Sequence, residues 1–237
     1  MKHIPNFITS LNLVSGFFAV MAVMKGNLNA AFWFIAAAMV FDFLDGFASR
    51  LLNAYSEMGK ELDSLADLVS FGVAPGMIVY RLLELSLQGT EMAGMSTGTL
   101  KIIFTVIASV FPLCAGLRLA KFNTDPLQSL SFRGLPTPAA ALAIISLIPA
   151  VIKDSGFVSR ITESGIAITV YSLVISALMV SRIPMMSLKT KSFRLKGNEY
   201  RYLLAAISVI LVSVSGFTGI ALIIPAYILI SLFFPPA

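Results

Sequence analysis

Long uncharged stretches alternate with short polar segments along the chain, a spacing typical of a multi-pass membrane protein. Residues 4–24 form the first such stretch and residues 202–237 the last. About 20 consecutive apolar residues in helical conformation cross the hydrocarbon core of a bilayer. The pattern predicts an all-α integral membrane protein, a single membrane domain over residues 1–237 with about eight spanning helices. They are predicted at 5–25, 28–52, 60–86, 99–121, 135–153, 164–182, 199–215 and 217–235.

The last uncharged stretch is predicted to contain two helices, and the first is predicted to be a single spanning helix. Residues 202–237 are too long for one span, and Gly216 and Gly219 offer a break because glycine favours tight turns. Residues 4–24 are longer than the roughly 7–15 residues of a signal-peptide core. We therefore interpret them as the first spanning helix and not as a cleaved signal.

Composition narrows the chemistry that this chain can perform. Hydrophobic residues make up 57% of it and charged residues 12%, whereas soluble domains carry about 25% charged residues. The single cysteine, Cys114, excludes an internal disulfide, and with the single histidine, His3, it cannot build a zinc site. A bound metal would need carboxylate ligands, which suit Mg²⁺, Mn²⁺ or Ca²⁺. No basic stripe interleaved with aromatic residues predicts a nucleic-acid partner.

Lysine and arginine positions predict the orientation in the membrane. With the N-terminus inside, 12 of the 17 basic residues fall on the cytoplasmic side, so both termini are predicted to face the cytoplasm. The basic loop 183–200, with Arg182 and Arg201 beside it, supplies half of those 12. The loop is interpreted as a topology signal, as a surface that attracts anionic lipid headgroups, or as both.

Acidic residues interrupt the second and third predicted helices. Six of the twelve acidic residues lie between positions 42 and 67. An ionised aspartate near the bilayer centre costs roughly 2.5–3.5 kcal/mol on insertion scales, so such residues normally mark a site. Asp42 and Asp45 share a helix face at spacing i,i+3, and Asp63 and Asp67 share one at i,i+4.

These two faces are expected to meet. The connection between the helices, residues 53–59, is short, which favours antiparallel neighbours. Four converging carboxylates repel one another unless cations lie between them, and one or two divalent ions such as Mg²⁺ or Mn²⁺ would resolve the conflict. Two alternatives stay open at this point: solvated helix caps, and a proton or ion pathway.

Small and cationic residues accompany the acidic ones. Gly46 lies one turn after Asp42, and Gly59 lies one turn before Asp63. Each glycine either marks close helix packing or leaves room for a nucleotide against the backbone. Arg50, one turn beyond Gly46, either extends to the membrane surface or neutralises a diphosphate with its planar guanidinium.

The segment from Asp42 to Asp67 resembles the signature of the CDP-alcohol phosphotransferase family. That signature runs D-x-x-D-G-x-x-A-R, a spacer, then G-x-x-x-D-x-x-x-D, and here the spacer is the eight residues between Arg50 and Gly59. Ser49 is the one departure, since the family usually has alanine there. Serine is small enough for the same packing.

The resemblance implies a role for each matching position. Two divalent cations, Mg²⁺ or Mn²⁺, are expected to hold the diphosphate of a CDP-linked lipid, with Asp67 also acting as the catalytic base. The implied metal ligands are Asp42, Asp45, Asp63 and Asp67. The implied contacts with the nucleotide part are Gly46, Arg50 and Gly59.

Further stretches resemble one branch of this family, the bacterial and archaeal phosphatidylserine synthases. They extend the resemblance to roughly residues 5–140, with Lys121 standing where those proteins have arginine. The branch implies CDP-diacylglycerol as donor, L-serine as acceptor, contact with membrane lipids, a homodimer and a site open to the cytoplasm. Two alternatives remain: a sister enzyme acting on glycerol phosphate or inositol phosphate, and a carboxylate-based ion transporter. The stretches are 5–12, 63–75, 116–123 and 132–138.

Residues that would bind the acceptor are harder to assign. A free amino acid needs a cation for its carboxylate, and Arg118, Asn123 and Arg133 lie near the predicted cytoplasmic ends of the fourth and fifth helices. Membrane anchoring or contact with lipid phosphate explains them equally well. Thr9 and Asn12 in the first helix either hydrogen-bond the nucleotide or stabilise helix packing.

Overall fold

The computed structural model describes residues 3–87, 97–124, 134–153, 162–183, 185 and 198–233. Within these residues the chain is helical and contains no β-strand, so the predicted all-α fold is confirmed. The α-helices, in chain order, are α1 His3–Met24, α2 Leu28–Leu51, α3 Glu57–Leu68, α4 Ala74–Ser86, α5 Thr97–Thr124, α6 Thr137–Ile145, α7 Ile148–Lys153, α8 Gly165–Val180, α9 Glu199–Ser215 and α10 Ile220–Phe233.

Four continuous helical stretches are long and apolar enough to cross a membrane. They are His3–Met24, Leu28–Leu51, Glu57–Ser86 and Gly98–Thr124. Shorter apolar helices cover Thr137–Ile152, Gly165–Val180 and Ile220–Ser231. Helices thus occupy every predicted position in the described part of the chain, whereas the number that cross the bilayer stays a prediction.

The predicted fifth helix, 135–153, is divided in the structure. Helix α6 ends at Ile145 and α7 begins at Ile148, with the Ser146 hydroxyl donating to the carbonyl of Ala143 at 2.7 Å. Pro149 explains the break, because it lacks the amide hydrogen that a continuous helix would donate to the Ile145 carbonyl. The predicted break in the C-terminal stretch is confirmed: a 3₁₀ turn covers Gly216–Gly219, and Gly216 has φ of +58°.

Helix α1 is the element around which the site is arranged. It packs along α2 and also contacts α3, α4 and the segment between them, while α5 packs against α4. Helices α2 and α3 both pack against α1, and Asp42 of α2 lies close to Asp63 and Asp67 of α3. The fully buried side chains of this bundle include Ile35, Phe71, Phe111 and Ile144.

A π-helical segment, Val69–Val73, joins α3 to α4 and begins two residues after Asp67. The amide of Ala74 donates to the carbonyl of Val69, five residues back, and the next residue, Pro75, has no amide hydrogen to restore the regular pattern. Such bulges are common at functional sites. Helix α1 lies close to this segment, since a Cβ on Gly16 would lie 2.8 Å from the Cα of Ser70.

Candidate active site

Three aspartates form one carboxylate cluster, which we call the acid trio: Asp42 from α2, and Asp63 and Asp67 from α3. One oxygen of each lies within 4.8 Å of an oxygen of the other two. Asp67 is buried, and Asp42 and Asp63 are half-buried. Negative charges held this close repel one another in a medium of low dielectric constant. The trio therefore favours binding of a cation.

Asp45 does not belong to the trio. Its side chain is only 6% exposed, and its Oδ2 makes no hydrogen bond. The Thr9 hydroxyl lies beside its carboxylate but donates to the carbonyl of Pro5 at 3.0 Å. The charge of Asp45 still acts on Asp63 and Asp67. Of the four carboxylates expected to converge, three meet and the fourth lies buried beside them.

The donor set of this region fits a hard divalent cation. Asp63 Oδ1, like Asp45 Oδ2, is buried without a hydrogen-bond donor. A buried carboxylate oxygen without a donor is costly unless a cation or proton satisfies it. Oxygen ligands from several carboxylates are the set that Mg²⁺ and related ions prefer. The residues present can therefore hold a metal ion of this type.

Asn12 connects α1 to the acid trio. Its side chain is fully buried, and its Nδ2 donates to Asp67 Oδ1 at 3.2 Å. The Ser70 hydroxyl in turn donates to the backbone carbonyl of Asn12 at 2.9 Å, while the side-chain oxygen of Asn12 is buried without a partner. Sequence reasoning weighed nucleotide binding against helix packing for Asn12. It missed the contact with Asp67, which orients one carboxylate of the trio.

The positions expected to contact a nucleotide differ in their surroundings. Around a Cβ built on Gly46, only the Arg50 guanidinium lies within 4 Å, and Arg50 is exposed. The backbone at Gly46 is therefore open to a ligand. At Gly59 a Cβ would lie 2.9 Å from both Asn6 Oδ1 and the Ser56 hydroxyl that caps α3. Gly59 thus also has a packing role, because it lets α1 approach the first turn of α3.

Arg118 on α5 lies half-buried beside the acid trio. Its Nη1 donates to the hydroxyl of Thr137 at 3.1 Å, and its guanidinium carbon lies 5.5 Å from the centre of the Phe122 ring. Asp67, Asp42 and Tyr227 are close enough to interact with it electrostatically. Among the described residues, Arg118 forms no ion pair with a carboxylate.

Two residues that face Arg118 were not predicted from the sequence. Thr137 begins α6, and Tyr227 lies in α10, and both are buried. Thr137 lies in the stretch 132–138 that resembles phosphatidylserine synthases and that also contains Arg133, whereas Tyr227 belongs to none of the resembling stretches. The remaining signal for both was a polar side chain inside an apolar run, which is common in helix packing and does not by itself predict a site.

The other two acceptor candidates are Asn123 and Arg133. Asn123 is tied to α3, because its Nδ2 donates to the Ser64 hydroxyl at 2.8 Å and its carbonyl accepts from Lys60 Nζ at 3.2 Å. Arg133 lies outside the described residues, and so does most of the basic loop 183–200. Of the two candidates in the described part of the chain, Arg118 is the one with electrostatic contact to Asp67 and Asp42.

Comparison with known proteins identifies the family of the chain. A family model described as CDP-alcohol phosphatidyltransferase matches residues 2–226, which include the whole segment 42–67. The chain is similar to the CDP-diacylglycerol–serine O-phosphatidyltransferase of Bacillus subtilis, with 36% identity over 183 residues that cover 77% of this chain and 89% of that protein.

Two further relatives extend this similarity. The enzyme of the same name from Mycobacterium leprae is 32% identical over 199 residues, 81% of this chain and 61% of that protein. The archaetidylserine synthase of Methanothermobacter thermautotrophicus is 31% identical over 189 residues, 79% of this chain and 73% of that protein. The match with the mycobacterial relative thus spans about three-fifths of its length.

Proposed function

The chain belongs to the CDP-alcohol phosphatidyltransferase family, and from this premise we propose that it transfers the phosphatidyl group of CDP-diacylglycerol to L-serine, releasing CMP. The product is phosphatidylserine, so the protein is an enzyme of phospholipid synthesis. One observation carries the proposal: the acid trio lies within electrostatic range of Arg118, which forms no ion pair with a carboxylate among the described residues. The names of the Bacillus and Mycobacterium relatives support serine as the acceptor.

The apolar helices and the family membership both indicate an integral membrane protein. We further propose that both termini and the active site face the cytoplasm, where serine and CMP are dissolved. The excess of lysine and arginine on that side supports this orientation. A homodimer is also proposed, and the mass of the detergent-solubilised protein would test it.

Two divalent cations, Mg²⁺ or Mn²⁺, fit the acidic region. The acid trio would hold them, with Asp45 as a further ligand, and bound cations of this type neutralise the diphosphate of the donor. Arg50 would pair with the same diphosphate, because a planar guanidinium forms bidentate hydrogen bonds with phosphate. Gly46 would leave room for the nucleotide against the backbone, whereas Asn6 and Ser56 fill the space at Gly59. Contact of Gly59, Thr9 and Asn12 with the nucleotide stays a prediction.

Asp67 is proposed as the catalytic base. It accepts the proton of the serine hydroxyl while the serine oxygen attacks the β-phosphorus of CDP-diacylglycerol. The bond between that phosphorus and the bridging oxygen breaks, and CMP leaves with this oxygen. Asn12 supports the reaction by orienting the Asp67 carboxylate through its hydrogen bond. Phosphoryl-type transfer depends mainly on such positioning and on charge neutralisation.

The decisive experiment measures CMP release by the purified protein in mixed micelles of CDP-diacylglycerol. L-Serine and glycerol 3-phosphate are compared as acceptors, with Mg²⁺ or Mn²⁺ and with excess chelator. We expect CMP release that requires both serine and the metal. Faster release with glycerol 3-phosphate would assign a sister activity, and undiminished release in chelator would exclude the metal site. Absence of CMP release with every acceptor would favour ion transport.

A further inference from the structure

We infer that Thr137 and Tyr227 position Arg118 to bind the carboxylate of the acceptor amino acid, so that α10 forms one wall of the acceptor pocket. The inference rests on the proposed function, because it takes an amino acid as the acceptor. Arg118 would contact the substrate. Thr137 and Tyr227 act through Arg118 and are therefore positioning residues.

Thr137 holds Arg118 from a rigidly placed helix start. Its fully buried hydroxyl accepts the hydrogen bond from Arg118 Nη1. The turn that precedes α6 is tied to the end of α8, since the amide of Leu135 donates to the carbonyl of Leu178 at 2.9 Å. Gly134 has φ of +78°, and a Cβ there would lie 2.6 Å from the carbonyl of Met179. The backbone in front of Thr137 thus has little freedom to move.

Tyr227 approaches Arg118 from the last helix. Helix α10 packs against α6, and the Tyr227 side chain is only 3% exposed. The side chains of Tyr227 and Ser231, one turn apart, share a hydrogen bond, and the Tyr227 hydroxyl lies within electrostatic range of the Arg118 guanidinium. Thr137 of α6 and Tyr227 of α10 thus approach Arg118 from two different helices.

The free donors of Arg118 suit a carboxylate. A guanidinium carries five N–H donors in one plane, and the described residues accept one of them, through Thr137. A carboxylate can take two parallel N–H groups from such a fork. The acid trio would repel the carboxylate of the acceptor. Arg118, a cation near Asp67 and Asp42, would attract that carboxylate and so bind the acceptor close to the trio. An acceptor bound in this way would present its hydroxyl towards Asp67.

The test compares KM for L-serine, KM for CDP-diacylglycerol and kcat among four variants, using CMP release. Thr137→Val and Tyr227→Phe each remove one hydroxyl, Thr137→Ser keeps it, and Tyr171→Phe is the matched control. The Tyr171 hydroxyl donates to the carbonyl of Ala143 and lies outside the Arg118 contact set. Loss of one hydrogen bond to a charged group weakens binding about tenfold.

We expect Thr137→Val and Tyr227→Phe to raise KM for L-serine about tenfold, with kcat and KM for CDP-diacylglycerol changed by less than about twofold. Thr137→Ser and Tyr171→Phe should resemble the wild type. Equal increases in both KM values, or a loss confined to kcat, would overturn the inference, because they would indicate a structural or nucleotide-binding role. If Thr137→Val does not fold, the KM values for L-serine of Tyr227→Phe and Thr137→Ser still test the inference.

The inference and the proposed function can fail separately. If the wild type uses serine but the KM for serine is the same in every folded variant, only the positioning role of Thr137 and Tyr227 is overturned. If the wild type shows no serine-dependent CMP release, the proposed acceptor is wrong and the inference falls with it.

Discussion

Helices α2 and α3 each carry two aspartates on one face, yet they contribute unequally to the site. Both aspartates of α3 join the acid trio, whereas α2 supplies Asp42 and leaves Asp45 buried beside it. At 3.6 residues per turn, side chains four positions apart differ by about 40° around the helix axis, and those three apart by about 60°. The narrower pair on α3 can point into one space, while the wider pair on α2 diverges.

The neighbours of the two helices also differ. The α3 side is fixed by Asn12, which bonds Asp67, and by Ser70, whose hydroxyl bonds the backbone of α1. Ser70 belongs to the π segment after α3 and lies close to Gly16 of α1. Helix α2 remains regular to Leu51, and the Asp45 Oδ2 has no donor. Asp67, the proposed base, is thus oriented by a hydrogen bond from α1, whereas one carboxylate oxygen of Asp45 on α2 is buried without a donor.

The largest expected effect comes from replacing the base on α3. Asp67→Asn should lower turnover about 10³-fold, because a general base contributes between about 10² and 10⁴. CDP-diacylglycerol binding, measured separately with the purified variant, should be largely kept. Glu61→Gln is the matched control, since Glu61 is an exposed acidic residue of the same helix. Lost lipid binding together with residual turnover would contradict the assigned role.

A second experiment tests the unequal aspartates of α2 through metal-induced stabilisation. A cation present at 100 times its Kd stabilises a folded protein by about 2.7 kcal/mol. We expect Mn²⁺ or Mg²⁺ to raise the Tm of the wild type, Asp42→Asn to lose most of this increase, and Asp45→Asn to keep part of it. Thermal unfolding in detergent, with chelator as the reference state, measures the difference. Equal loss in both variants would show that α2 contributes two equivalent ligands.

The smallest effect is expected on the α1 side. Asn12→Ala removes the hydrogen bond to Asp67 and should lower kcat about tenfold, in line with one bond to a charged group. The KM for CDP-diacylglycerol should stay near the wild-type value. Asn29→Ala, at an exposed position of α2, is the control. An increase in that KM without a change in kcat would instead support direct contact of Asn12 with the nucleotide.

Several features of this protein follow from local patterns along the chain. The lengths of the uncharged stretches predict the positions of the helices, because the bilayer thickness and the rise per residue set that length. Aspartates inside such stretches predict a site, because an unpaired charge is costly in lipid. Their spacing and the glycines beside them predict the metal-binding signature of segment 42–67, which lies within the family match.

Other features depend on contacts between residues far apart in the chain. Sequence reasoning could not separate Asp45 from the acid trio, and it did not predict the π segment 69–73. It gave no reason to join Arg118, Thr137 and Tyr227, which come from three different helices. The period of a helix determines which residues share one of its faces. Which faces meet depends on side-chain packing between helices, and that is decided only when the whole bundle assembles.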